Sequence, residues 1–458
     1  MIDTVRRLVP ERVAAEEDGA APEQIRGIDT NEAVEDFCLA CVSRAIDDRE
    51  INLQKRSEVF FQISGAGHEA LLLGLARHLR PGYDWFFPYY RDLSLVLGLG
   101  VTPYEVLLQA LGSADDPASG GRQMPAHWGS KRLNIVTQSS PTGSQCLPAV
   151  GSAEAARYLS RRPDLTGTEA HGDELTYVSL GEGACSEGEF WESLNTACTQ
   201  HLPVLYVVAD NGYAISVPTA DQAPAPVSTL VRGFAGLEVH RLDGTDYWAV
   251  RRRAASAVAH VRAGVGPALL HAEVTRPYSH SSADTQSKYR TSDELAREAA
   301  HDPLARMAET LVAAGTLTTD EVAAIQAEAK VVVGEATKAA RAAARPDPAT
   351  VTRDVVRLPS VVEYEGPHEG EPEFLGAAIN RCLHELMEGD ERIRVFGEDV
   401  ADAREALLAE LEGKGGVFGT THGLQREFGQ ARCYNTPLAE ANIVGRAVGQ
   451  ALRGLRCV

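Results

Sequence analysis

Two apolar runs that read as buried strands, residues 176–180 and 204–209, are each followed at once by a polar, Gly-containing turn. Between them Phe190, Leu194, Ala197 and Cys198 recur at helical spacing. The pattern predicts strand, turn, helix, strand. Two parallel strands then carry both turns at the carboxyl edge of a sheet, where open α/β sheets bind ligands. Upstream, residues 31–54 are amphipathic, with Asp29 and Glu32 at capping-box spacing, and a turn at Gly67-His68-Glu69 opens a further helix. Strands and helices alternate to about Val274. Helices dominate 292–344, with Asp302-Pro303 and Thr319-Asp320 as start signals, and end in an Ala- and Lys/Arg-rich tail placed at the surface or against a partner. Pro346, Pro348, Pro359, Pro367 and Pro372 then alternate with acidic residues and Gly, as in a linker. A second α/β pattern follows, with a helix over 374–387 and a strand over 393–396. The predicted division is an N-terminal arm and helix over 1–44, an α/β domain over 45–345, a linker over 346–372 and a partial second domain over 373–458. The fold class expected is a doubly wound parallel-sheet α/β fold.

The turns carry the candidate chemistry. The first is Gly181-Glu182-Gly183-Ala184-Cys185-Ser186-Glu187-Gly188 and the second Asp210-Asn211-Gly212-Tyr213. Ser186 stands where a dinucleotide fingerprint needs Gly, which argues against an ordinary nicotinamide site. Glu182 alone would repel a diphosphate. A small divalent ion removes the conflict, because the Glu182 carboxylate, the Asn211 amide oxygen and phosphate oxygens can share one hard cation such as Mg²⁺.

Bulk properties narrow the class. The 458 residues allow two or three domains. With 44 basic against 64 acidic side chains, the formal charge of −20 disfavours a nucleic-acid groove or an anionic membrane surface. No apolar run reaches the roughly 18 residues of a membrane span, and the polar N-terminus lacks a signal-peptide core. A cytoplasmic protein is expected. Eight scattered cysteines fit reduced, buried thiols. Cys38 and Cys41 lie on an apolar helix face with no second pair to complete a zinc site. His68-Glu69 lacks the second His of a zinc-protease helix, since Leu72 holds that place.

The stretch GEGACSEGEFWESLN, with PVLYVVADNGYAISVP after it, resembles the diphosphate-and-magnesium motif of thiamine-diphosphate enzymes, in the form found in the α subunit of 2-oxo acid dehydrogenases. Most of that family has Asp where this chain has Glu182; the branched-chain 2-oxo acid members are known for Glu. Asp210 replaces the first Asn of the family's pair, and the liganding Asn211 is kept. The stretch FGEDV, followed by GGVFGTTHGLQREFGQARCYNTPLAEANIVGRAVGQALRGLRCV, resembles the start of the β subunit of the same enzymes. The chain thus looks like an α subunit fused to the opening of a β subunit, with thiamine diphosphate as cofactor. The insertion between Val400 and Gly415 is longer than the family's loop and has a helical pattern.

The resemblance implies roles residue by residue. Tyr90, Arg91, Gly181, Glu182, Gly183, Ala184 and Asn211 would hold the diphosphate, with Glu182, Asn211 and Tyr213 on magnesium. Ser140 and the backbone of Thr142 would face the aminopyrimidine. Ser139, Pro141, Ser144 and Gln145 match a potassium site of some relatives. Glu440 matches the glutamate that exchanges a proton with the pyrimidine N1′. His280 matches a loop histidine that touches the cofactor, stabilises charge and moves protons; Ser281 falls where mitochondrial relatives are phosphorylated. The implied reaction is oxidative decarboxylation of a branched-chain 2-oxo acid of the 3-methyl-2-oxobutanoate type, with acyl transfer to the lipoyl group of a partner acyltransferase. A flavin dihydrolipoyl dehydrogenase acts downstream, and the fused chain would form a homodimer. Pyruvate or another 2-oxo acid as substrate, and a truncated non-catalytic assembly subunit, remain alternatives. Because residue 458 falls where a strand of the β-like domain is due, the chain is expected to be either a fragment of a longer fused protein or a truncated product that cannot complete its own fold, binding the cofactor weakly alone and lacking acyl transfer.

Overall fold

The computed structural model describes residues 25–137, 139–165, 170–353, 355–356 and 371–458. Most of the expected arm, and most of the expected linker, lie outside the described residues. The chain divides into two compact units, residues Met1–Ala149 with Asp173–Pro346, and Val150–Gly172 with Asp347–Val458.

The first unit is built on a five-stranded parallel sheet. Its strands are β1 Trp85–Phe87, β2 Thr176–Gly181, β3 Val204–Asp210, then β6 Glu238–Asp243 and β7 Ala268–Glu273, with the short antiparallel pair β4 Tyr213–Ala214 and β5 Val217–Pro218 beside them. The sheet order is β1-β2-β3-β7-β6. The two strands expected from the apolar runs are direct neighbours, in register from Thr176↔Val204 to Gly181↔Ala209. Their residues are buried almost throughout, as a parallel strand covered on both faces requires. The helix between them, Gly188–Thr199, buries Phe190, Leu194, Ala197 and Cys198, the four residues at helical spacing.

The long helix expected over 31–54 spans Thr30–Lys55. Asp29 caps it by accepting from the Asn31 N–H at 2.8 Å. The reciprocal half of the capping box does not form, because Glu32 pairs with Arg251 at 2.6 Å instead. The Ala-rich tail becomes helix Thr319–Ala342, whose cap is Thr318 rather than Thr319, in a full capping box with Glu321. Its apolar side, with Ile325, Ala329 and Val333, joins the core of this unit, so the tail packs inward.

The second unit has a three-stranded parallel sheet of β8 Ile393–Gly397, β9 Cys433–Asn435 and β10 Arg456–Cys457, in the order β10-β8-β9. Helices Leu375–Gly389 and Glu440–Leu452 accompany it. The insertion after Val400 holds one 3₁₀ turn, Glu405–Leu407, and no longer helix. Asp402 holds this loop closed: its carboxylate accepts from the Gly423 N–H at 2.8 Å and its carbonyl from Lys414 N–H at 3.0 Å. Residues 150–172 belong with this unit because buried Glu154 pairs with Arg446 at 2.7 Å and with Arg394 at 3.4 Å. Among the described residues no helix is long and apolar enough to cross a membrane. None of the cysteines is bonded to another; Cys382 is exposed and Cys457 half-buried, the rest buried.

Candidate active site

Adjacent parallel strands deliver their following turns to the same edge, and here β2 and β3 deliver Glu182 and Asn211. Gly183 allows the turns to close up. A Cβ at that position would lie 2.4 Å from the Ala214 Cβ, so only glycine lets the two loops approach this closely. Both polar side chains are buried. Glu182 Oε2 accepts from the Asn211 N–H at 3.3 Å, while Glu182 Oε1 and Asn211 Oδ1 have no partner. Two unpartnered buried oxygens, one of them on a carboxyl group, are costly unless a partner completes them. Burial and nearby Asp210 push the Glu182 carboxyl up to about 7.

Asp210 is a brace. Its Oδ2 bonds His271 Nε2 at 2.8 Å and its Oδ1 accepts from the Gly212 N–H at 2.9 Å, which fixes the turn carrying Asn211. The Tyr213 ring is wedged among Tyr289, Arg290 and Arg276, and its hydroxyl engages Glu294. Any contribution of Tyr213 to a metal therefore comes from its main chain.

Glu182 and Asn211 face a cavity of about 230 Å³. Tyr90, Arg91, Ser140, Pro141, Thr142, Gln145, Gly181, Gly183, Ala184, Tyr213 and His280 line it with them. Arg91 is almost fully buried and tied on both sides. It donates to the Ser64 carbonyl at 2.6 Å, and through Nη2 to His280 Nδ1 at 3.0 Å and the His280 carbonyl at 3.1 Å. Guanidinium has no acceptor, so His280 Nδ1 accepts and its proton resides on Nε2. Burial, then the charges of Arg91 and Arg276, hold the His280 imidazole down at about 4. The ring is neutral at pH 7 and presents a donor. Tyr90 meets it edge-on, with centroids 6.1 Å apart.

Ser139 and Ser144 lie outside this lining. The Ser144 hydroxyl donates to the Pro141 carbonyl at 2.7 Å, and the Gln145 amide to the Ser179 carbonyl at 2.8 Å. Glu440 belongs to the second unit, where it is exposed at the first position of its helix.

Three residues to which the sequence alone assigns no role support the site. Arg276 is buried and donates to the Ile215 carbonyl at 3.0 Å and the Tyr289 hydroxyl at 2.9 Å, with Nε and Nη1 left unpartnered. Asp284 accepts from the His280 N–H at 2.8 Å and from the Tyr289 hydroxyl at 2.6 Å. His127 meets the Ser140 hydroxyl at 2.9 Å. Arg276 and Asp284 flank His280 in sequence, which is their one sequence signal, and His127 has none. A carboxyl oxygen and an amide oxygen, both buried and unpartnered, beside two buried guanidiniums, fit a hard divalent ion carrying a pyrophosphoryl group.

Comparison with known proteins gives the family. The dehydrogenase E1 component model matches residues 38–349, and the transketolase pyrimidine-binding domain matches 375–458. The chain is 34% identical over 315 residues to the 2-oxoisovalerate dehydrogenase subunit alpha of Bacillus subtilis, covering 69% of this chain and 92% of that one. It is 35% identical over 269 residues to the 3-methyl-2-oxobutanoate dehydrogenase subunit alpha of Mycobacterium tuberculosis, covering 58% and 67%. The mitochondrial 2-oxoisovalerate dehydrogenase subunit alpha of Mus musculus is 31% identical over 305 residues, 66% of each chain. The two domain matches together imply thiamine diphosphate as cofactor. With the turn after β2 and the turn after β3 converging on one cavity, this chain belongs to the dehydrogenase E1 component family and continues into a transketolase-type pyrimidine-binding domain.

Proposed function

We propose that the protein catalyses oxidative decarboxylation of a branched-chain 2-oxo acid of the 3-methyl-2-oxobutanoate type and passes the acyl group to the lipoyl arm of a partner acyltransferase. A flavin dihydrolipoyl dehydrogenase would reoxidise that arm. The observation that carries the reading is the pair of buried, unpartnered oxygens on Glu182 and Asn211 in one cavity. They are the ligands for Mg²⁺, with the Tyr213 main chain beside them, and the ion would hold the cofactor's diphosphate. The cofactor, when bound, supplies the electron sink for loss of carbon dioxide.

The chain's own residues then have defined tasks. Arg91 and Tyr90 would hold the diphosphate, with the backbone of Gly181, Gly183 and Ala184 in the same cavity lining. His280 offers its Nε2 proton to developing negative charge near the reacting carbon. Glu440, exposed at the first position of its helix, would be the carboxylate that exchanges a proton with the pyrimidine of the cofactor. The proposed working form is a homodimer. The same proposal keeps a potassium ion on Ser139, Pro141, Ser144 and Gln145, where the Ser144 hydroxyl meets the Pro141 carbonyl at 2.7 Å.

Calorimetry with thiamine diphosphate and Mg²⁺, wild type against Glu182→Ala, tests the site; equal affinities would refute it. Competition between 3-methyl-2-oxobutanoate and pyruvate, read as kcat/KM with the acyltransferase present, tests the substrate; a preference for pyruvate would refute the branched-chain assignment.

A further inference from the structure

The hydroxyl of Ser140 lines the cavity, and its polarity is set from behind. His127 is held by its own turn. Gln109 donates to the His127 carbonyl at 3.0 Å and accepts from the Ala126 N–H at 2.9 Å. Ala126 takes a left-handed φ of 61°, a conformation rarely kept by a residue with a side chain. The neighbouring Trp128 indole donates to the Tyr89 carbonyl at 3.2 Å. The imidazole so fixed has Nδ1 3.1 Å from the Pro125 carbonyl and Nε2 2.9 Å from Ser140 Oγ. A carbonyl only accepts, so Nδ1 carries the proton of the neutral ring. Nε2 is then a bare lone pair, and the Ser140 O–H must donate to it.

We propose that His127 is a positioning residue that makes Ser140 an obligate acceptor toward the cavity, so that the site selects a ligand heterocycle presenting an N–H donor there. This rests on the cofactor reading above. On that reading the donor is the exocyclic amine of an aminopyrimidine, and an analogue with an oxo group at that position sets two acceptors against each other.

The test is calorimetry on the full chain with Mg²⁺ and three probes: thiamine diphosphate, oxythiamine diphosphate (the 4′-oxo analogue) and inorganic pyrophosphate. Wild type should prefer the amine over the oxo compound. His127→Ala frees the hydroxyl to turn. It should weaken thiamine diphosphate about three- to tenfold, the scale of one net hydrogen bond, shrink the preference toward one, and leave pyrophosphate unchanged. Ser140→Ala, in an exposed stretch, should do the same, with the double variant no worse than either single. His127→Gln, whose amide oxygen can accept from Ser140, should restore part of the preference. An unchanged preference in Ser140→Ala and His127→Ala, or an equal loss for pyrophosphate, overturns the inference. If pyrophosphate and both cofactor forms bind wild type alike, the inference fails and the diphosphate reading stands. If no probe binds wild type, that reading falls and takes the inference with it.

Discussion

Glu182 and Asn211 meet through one hydrogen bond, 3.3 Å from the Asn211 backbone N–H to Glu182 Oε2, while Glu182 Oε1 and Asn211 Oδ1 stay buried and unpartnered. The contact ties the Glu182 side chain to the Asn211 backbone and leaves both unpartnered oxygens free for the proposed Mg²⁺. Losing a residue that merely orients metal ligands costs about 10–100-fold in affinity, and losing a ligand should cost at least as much. Glu182→Ala and Asn211→Ala should therefore each weaken Mg²⁺-dependent cofactor binding by at least about tenfold, as read by calorimetry. Asp210→Ala, which loosens the brace to His271, should cost less.

If Glu182 holds the proposed Mg²⁺, it also ties metal binding to pH. Its carboxyl is raised from 4.5 to about 7, by burial first and Asp210 second. The buried neutral form therefore stabilises the metal-free protein at low pH, and that contribution is lost as pH rises through about 7. At about 1.4 kcal/mol per tenfold change in proton affinity, the displacement is worth roughly 3 kcal/mol. Without metal, Glu182→Gln should gain stability over wild type between pH 5 and pH 8, as followed by urea titration. Mg²⁺ must displace the proton, so wild-type binding should release up to one proton below pH 7 and almost none at pH 9. Calorimetry in buffers of different ionisation heat measures that release.

The Arg91–His280 contact makes a separate expectation. With the imidazole held at about 4 by burial and by Arg91 and Arg276, His280 gains no charge as pH falls from 8 to 5. Its ring signals should titrate near 4 by NMR, and Arg91→Gln should move the midpoint upward toward 6.5. His280→Ala should lower kcat by about 10²–10⁴-fold if it moves a proton in the rate-limiting step. The same change should alter cofactor affinity far less than Arg91→Gln does.

The parts of this site that are legible along the chain are those built from consecutive residues. An apolar strand followed by a polar turn declares itself, so the residue pattern alone places Glu182 and Asn211 at one sheet edge. The supports are not legible in that way, because they depend on side chains crossing between segments. Arg276 reaches back to the Ile215 carbonyl, and His127 reaches forward to Ser140. Local signals also lose to tertiary ones. Glu32 has the spacing to complete a helix cap, yet an ion pair with Arg251 takes it. The insertion after Val400 has helical spacing, but Asp402 near its start accepts from the Lys414 N–H at its end and the Gly423 N–H beyond it, which leaves a loop.

The least legible feature lies in the second unit. Glu154 is buried and accepts from Arg446 at 2.7 and 3.0 Å, from Gln450 at 3.3 Å and from Arg394 at 3.4 Å. Burial alone would raise its carboxyl, but the charges of Arg446 and Arg394 prevail and hold it below the usual range. Glu154 is therefore the counter-charge for two buried guanidiniums. Removing one partner of a buried pair costs about 3–5 kcal/mol, because the other is left uncompensated. Glu154→Ala should destabilise this unit by about that much, as measured by urea unfolding followed at the unit's own aromatic residues. Glu154→Gln keeps an acceptor but no charge, so it should fall between Glu154→Ala and wild type. The lowered carboxyl sets the pH sign: the stabilisation is present above the ordinary glutamate value and lost as pH falls through the depressed one. The gap between wild type and Glu154→Gln should therefore narrow in acid; a gap that widens below pH 4 would show that Glu154 is not held as a carboxylate by Arg446 and Arg394.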